Sequence, residues 1–486
     1  MSRSSSLSPK QPLSSTDPPN EISPLISTHH HPYLTSSPLS PSLPTLILYF
    51  MTLHFLIAFC EMVLVAPLIS LFESSLCHSY YNFPEPSLRL DNREIISEMC
   101  KISEIQGPLA TIRGWKSFGD TVPVLLVAIP IGNLGDRYGR RKIMALSLIG
   151  VGLSLVQIFV VCAYPKIFDL RWVWLSSLFL LCGGGLYSSA AFMWAMASSL
   201  IPEDKRSYAF YYIFSAFYIA ELIGSYVASI TIDISPWIAC SMAMGSVILG
   251  LLLLWLVPFS QSSPRPELSP PSTSSPSTSS TQLQSRHITT IPKTTILATI
   301  RHAMIQPNVL LCIPVFLVGT LRYTTLNILI QYSSVRFGTK ISKGAMFYTE
   351  TAIINIVLFL FLIPRISIWI KSRYHVKSEK IDLVLMKISV CFLLVGSLAT
   401  GLAPTSGWVP VVGSRVSTLS LISHFIPPSS IATLYASIAV LENLGHAIND
   451  PSMQHIFAAT LRLPPFWHAL PFFVAAVGTL FPYICK

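Results

Sequence analysis

The sequence predicts an all-α membrane protein with twelve transmembrane helices in two six-helix halves. Three observations carry that expectation. The 486 residues are 51% hydrophobic and only 11% charged, with a mean hydropathy of +0.59, whereas soluble domains are about 25% charged. Apolar stretches of about 20 residues, the length that spans a bilayer, recur along the chain. One long interruption, Pro258 to about Thr299, contains SPPSTSSPSTSST; so polar a stretch cannot build a packed core. It reads as a disordered cytoplasmic linker (258–299) between residues 44–257 and 300–486.

Taken in order, residues 1–43 are rich in Ser, Pro and Thr and read as a disordered cytoplasmic tail. They lack an apolar signal core, so the first span is expected to serve as an uncleaved anchor. Span 1 covers about Thr45–Phe72 and is followed by an outer loop at 73–115. Span 2 covers about Lys116–Leu134, span 3 Ile143–Ala163, span 4 Val173–Leu200, span 5 Tyr208–Thr231 and span 6 Trp237–Val257. After the linker come span 7 (about Asn308–Tyr332), span 8 (Ala345–Pro364), span 9 (Leu383–Leu402), span 11 (Ile431–Ile448) and span 12 (Pro465–Tyr483). Span 10 is the weak one. Val409–Phe425 is short, holds Arg415 and His424 and stops at Pro427 and Pro428. If it does not span, the count is eleven and the C-terminus changes side.

Net charge is +10, but the bases are scattered through loops with no interleaved aromatic surface. They suit orientation in a bilayer rather than nucleic-acid binding. Both termini are expected on the cytoplasmic side of a plasma or vacuolar membrane, in a protein that works as a monomer without a cofactor. A phosphate-cradling GxxxxGK(S/T) loop and a GxSxG motif are both absent, which disfavours an ATP-driven pump and leaves a membrane enzyme without a catalytic constellation.

The most informative stretch is GNLGDRYGRRK, Gly132–Lys142, between spans 2 and 3. It combines Gly132, Gly135 and Gly139 with one acid, Asp136, and the bases Arg137, Arg140, Arg141 and Lys142. Bases just beyond a span mark the cytoplasmic side, and Gly139 permits a tight turn. A basic topology-setting loop would need only the charges, whereas here glycines, acid and bases fall in a fixed order.

That order resembles the loop between helices 2 and 3 of the major facilitator superfamily, G-x-L-(A/S/G)-D-(R/K)-x-G-(R/K)-(R/K), with every defined position filled. The resemblance implies a gating element in which Asp136 faces the start of a helix in the other half, where an acid is favoured, and in which the arginines pair with acids at nearby helix ends. The second basic loop, Arg365–Lys380, lacks the glycine–aspartate pattern. Within the superfamily the chain is similar to the fungal branch near proton-coupled folate transporters and tetracycline-efflux-like proteins. The residues that carry this are FESSLCHSYY from Phe72, CKISEIQGPLA from Cys100, Gly183–Gly185, AELIGSYVAS from Ala220, QYSSVRFG from Gln331 and IATLYASIAVLENLG from Ile431. Span 5 has no glycine–proline cluster and span 4 no arginine, two departures that leave energy coupling open.

Ionisable side chains in the hydrocarbon layer cost about 2.5–3.5 kcal/mol on insertion scales and mark function by default. Glu221 on span 5 and Arg322 on span 7 are the central candidates for binding substrate or carrying a proton. Glu61 on span 1 and Glu442 on span 11 are further ones, and a structural ion pair is the bland alternative for each. His446, Asp450 and His455 do not read as metal ligands, since no HExxH motif exists and Pro451 is expected to break the helical register. Of nine cysteines, Cys77 and Cys100 fall in the outer loop on the oxidising side, where a disulfide is expected; two free thiols are the alternative. The leading reading is a secondary transporter of a small organic solute working by alternating access, with proton coupling as an option. A non-transporting nutrient sensor on the same fold is the runner-up.

Overall fold

The structure is a computed structural model that describes residues 42–81, 98–256, 307–357, 393–402 and 431–484, with a few single positions between 365 and 391. The expected N-terminal tail, the linker, most of the second basic loop and the span at 409–425 lie outside the described residues. Those residues form helices and turns, with no strand among them. They are α1 (Leu43–Tyr81), α2 (Ser103–Tyr138), α3 (Arg140–Ala163), α4 (Gly185–Leu200), α5 (Glu203–Ile234), α6 (Pro236–Leu256), α7 (Pro307–Phe337), α8 (Ile341–Ile356), α9 (Leu393–Leu402), α10 (Ile431–Thr460) and α11 (Leu470–Ile484). Ahead of α4, a tighter coil of 3₁₀ and α turns extends the same stretch back to Leu170.

Among the described residues, five stretches are long and apolar enough to cross a bilayer: Leu43–Tyr81, Arg140–Ala163, Leu170–Leu200, Ala209–Ile234 and Pro236–Trp255. On α3, Ile143, Met144, Leu148 and Val151 are buried, while Leu146, Ile149, Leu153 and Val156 are exposed. A helix that is apolar on its buried and exposed faces alike belongs in hydrocarbon.

Helix boundaries depart from the expected outer loop at 73–115. α1 runs on through Tyr81 and α2 starts at Ser103. The 39 residues of α1 rise about 1.5 Å each, well beyond a hydrocarbon core of about 30 Å. Hydropathy reports where apolar side chains end, not where helical hydrogen bonding ends. Here Glu73, Gln106 and Arg113 are covered by protein, so the backbone around them stays helical. Cys77 and Cys100 form a disulfide across the gap, with Cα atoms 5.5 Å apart.

α1 packs on α5 and α6, and α3 on α4 and α6; α7 contacts α8, α10 and α11. Two seams join helices before the interruption to helices after it, α2 against α10 and α5 against α8. The first depends on Gly114, where a Cβ would lie 3.0 Å from Gln454 Cβ and 3.1 Å from Pro451 Cα. Pro451 sits inside α10 and does not break it, contrary to the sequence reading. A proline removes one hydrogen bond and pushes on the preceding turn, a local defect that packing against α2 tolerates.

Candidate functional site

The α2–α10 seam is polar at its centre. Asp450 on α10 is buried, and its two carboxylate oxygens accept hydrogen bonds from Ser117 Oγ of α2 and Thr324 Oγ1 of α7. One turn earlier on the same face, His446 Nδ1 lies 3.4 Å from Asp450 Oδ2. The imidazole sits between Tyr187 of α4 and Tyr323 of α7, each ring centroid 6.4 Å away. Beside this, Asn449 Nδ2 donates to Thr320 Oγ1 at 2.7 Å. Three helices thus meet at one buried carboxylate, and donors from both sides of the seam satisfy its charge.

The second seam adds another acid. Glu221 of α5 is fully buried (0% exposed). One turn on, Ser225 Oγ and Thr349 Oγ1 of α8 are 2.8 Å apart. Tyr348 of α8, also buried, lies within electrostatic reach of Arg113, Glu221, Asp450 and Tyr323. It therefore links the two seams, in a region where low polarizability strengthens each interaction. A base, two acids, an imidazole and phenols, drawn from five helices, can hold a charged or polar solute and can take up and give back protons.

Arg113 heads a third group, nearer the disulfide end. Its Nη1 donates to Gln331 Oε1 at 2.9 Å and its Nη2 to Asn327 O at 3.1 Å and to Asn327 Oδ1. Gln331 Nε2 donates back to Gln106 O and Oε1 at 3.0 and 2.8 Å. Lys101 Nζ reaches Gly338 O at 3.3 Å. All of these bonds run from the segment 101–113 to α7 and the residue just after it.

The Gly132–Lys142 stretch forms the end of α2, a turn and the start of α3. Gly139, at φ 98°, makes the turn, and its N–H donates to Gly135 O at 3.0 Å. Gly132 lies within the helix, and Gly135 packs against the ring of Phe192. Arg140 Nη1 donates to Ala195 O and Arg141 Nη2 to Trp255 O, both at 2.8 Å. Trp255 lies in the last turn of α6 and Ala195 one turn before the end of α4, near helix ends that a cation complements. Exposed Arg137 lies over the Tyr138 ring at 5.5 Å. The Asp136 side chain lies outside the described residues.

Of the predicted central candidates, Glu221 reaches the buried cluster, and Glu61 is half-buried on α1 beside Cys60. The side chains of Arg322 on α7 and Glu442 on α10 lie outside the described residues. His455 does not join His446; it packs edge-on against Trp115, 5.8 Å between centroids. Sequence reasoning missed Arg113, which it placed in the outer loop, and passed over Asp450 as an unconvincing metal ligand. The i, i+4 pairing of His446 with Asp450 next to Asn449 was the available signal: three polar side chains crowded onto one apolar helix.

A bundle of apolar helices closed around a shared acid–base cluster is the build of a membrane transport protein. The sequence matches the Major Facilitator Superfamily over residues 99–449, and the chain belongs to this family of secondary transporters, all-α membrane proteins whose fold implies twelve spans. It is similar to the MFS efflux pump atnC of Emericella nidulans, 27% identical over 85% of this chain and 81% of that one. It is also similar to the efflux pump ustT of Aspergillus flavus, 26% identical over 82% and 80%. Among solved structures it resembles the crystal structure of a D-xylose–proton symporter, with a TM-score of 0.58 and 12% identity, covering 90% of this chain and 96% of that one; at that identity the likeness concerns the fold.

Proposed function

We propose that the protein exports a small organic solute by alternating access, driven by protons that bind at Asp450 and Glu221. The observation that carries this reading is Asp450: a buried carboxylate held at once by Ser117, Thr324 and His446, from helices on both sides of the central interruption. Its charge state bears directly on how tightly the two halves hold together. Desolvation and neighbouring charge are what tune such a carboxyl. The efflux pumps among its relatives support the outward direction. In this reading the disulfide end faces outside, both termini are cytoplasmic in a plasma or vacuolar membrane, and the Gly132–Lys142 turn latches the cytoplasmic side. Glu61, Glu442 and Arg322 remain candidates for lining the solute path.

The test is retention of labelled solutes in yeast cells that make the protein, with organic anions, amphipathic drugs and secondary metabolites as the panel. Wild type is expected to lower retention of at least one solute, and Asp450→Asn, present at equal surface level, to lose that effect. Equal retention with and without the protein for every solute would oppose export, and an active Asp450→Asn variant would remove Asp450 from the mechanism.

A further inference from the structure

The bonds between the segment 101–113 and α7 form a directed relay, and its far end is a carboxylate that the transport reading does not use. Gln106 Nε2 donates to Glu73 Oε1 at 2.9 Å and to Cys100 O at 3.0 Å, so both of its N–H groups are engaged. That leaves Gln106 Oε1 to accept from Gln331 Nε2 at 2.8 Å, while Gln331 Oε1 accepts from Arg113 Nη1 at 2.9 Å. Glu73, Gln106 and Gln331 are all buried. An ionised carboxylate can only accept and a guanidinium can only donate. The two ends therefore fix which way both amides point, and every bond in the chain Glu73–Gln106–Gln331–Arg113 agrees in direction.

We infer that Glu73 is a positioning residue that sets the polarity of this amide lock and so makes opening of the disulfide-end gate depend on proton uptake at that end. When Glu73 is ionised, Gln106 has one usable orientation and the α2–α7 bonds hold. Once protonated, Glu73 can donate to Gln106 as well as accept from it. The Gln106 amide then has two orientations, one of which sets its N–H₂ against the N–H₂ of Gln331 and breaks the crossing bond. The bond to Glu73 also loses its charge assistance, which roughly halves its strength. Neighbouring elements bring few other ionisable groups to this place. Lys101, from the segment before α2, acts on Glu73 electrostatically but is itself bound to Glu98 Oε1 at 2.8 Å and to Gly338 O. From α3 comes the Cys162 thiol, beside Ser75; Arg113 stands at the far end of the relay. The disulfide of Cys77 and Cys100, packed with Ile105, anchors the Cys100 carbonyl that takes Gln106's second N–H. The inference rests on the alternating-access reading, yet it can be tested without any transport.

The experiment measures the distance between spin labels at Ile167→Cys and Lys343→Cys, both exposed positions at the disulfide end. The background carries Cys182→Ser and Cys391→Ser, the exposed free thiols among the described residues, together with Cys312→Ser and Cys485→Ser. Purified full-length protein is measured as the pH is lowered through the carboxylate range, with no solute and no gradient. Wild-type protein is expected to shift toward longer distances. Glu73→Gln, whose amide can donate to Gln106 as well as accept from it, as protonated Glu73 does, should show the longer distances at every pH. Glu73→Ala, which removes the end of the relay, should show the longer distances throughout. A Glu73→Gln protein that stays at the short distance or shifts with pH as wild type does, or a Glu73→Ala protein as closed as wild type, would overturn the inference. Failure of transport alone would leave these distances untouched and would count against the export reading instead.

Discussion

Ser117 and Asp450 lie 333 positions apart in the sequence, and the hydroxyl of one donates directly to the carboxylate of the other. That bond ties α2 to α10 across the central interruption, while Thr324 of α7 holds the other carboxylate oxygen from α10's own side of it. Hydrogen bonds between membrane helices average about 0.6 kcal/mol, up to about 1.7, so the carboxylate contributes to closure but does not make it irreversible.

Asp450→Asn preserves an acceptor for one hydroxyl and removes the charge. It should stay folded, within about 1 kcal/mol of wild type, while losing proton-linked flux. Asp450→Ala strips partners from Ser117, Thr324 and His446 together and should lose roughly a further 1–2 kcal/mol. Thermal unfolding in detergent, set beside flux in vesicles, separates the two effects.

At Gly114 there is no room for a side chain against Pro451 and Gln454. Gly114→Val should wedge α2 from α10, cost about 1–3 kcal/mol and shift the protein away from the closed seam. Gly107, on the same helix, has nothing within 4 Å of a built Cβ. Gly107→Ala is therefore the control, and its melting temperature should stay level or rise.

For the turn between α2 and α3, Gly139→Ala places a Cβ at φ 98° and should cost about 1–2 kcal/mol. Asp136→Ala should behave differently. As part of a latch it is expected to reach the membrane normally and transport at a small fraction of the wild-type rate. Surface labelling and flux measured on the same cells check both; normal flux in Asp136→Ala would argue against the latch.

Reduction of Cys77–Cys100 opens a loop of sequence separation 23. The chain-entropy account of such a closure gives about 3 kcal/mol. Cys77→Ser with Cys100→Ser should therefore melt lower than wild type and lose its response to reductant, which a melting series with and without dithiothreitol would show.

Much of the fold was legible because apolar length and the Gly139 turn are local properties. Spans 1, 3, 4, 5 and 6 each coincide with a stretch apolar enough to read alone. α2 was cut short at Lys116 because Gln106 and Arg113 look like loop residues until α7 is placed beside them. Glu221 could be found because an acid inside an apolar run stands out wherever it points. Asp450 offers only its i, i+4 pairing with His446; what sets it apart is the convergence of Ser117 and Thr324, positions far away in sequence. Pro451 misled for the same reason: its tolerance depends on Gly114, more than three hundred residues earlier.

In the proposed cycle, buried carboxylates couple proton movement to solute movement. The most direct test encloses a pH dye in liposomes carrying the purified protein and adds the solute found in the export screen. A solute-evoked pH change in wild type that disappears in Asp450→Asn and falls in Glu221→Gln is the predicted result. Labelled solute crossing with no pH change, or a pH change unaltered in the double variant, would contradict it.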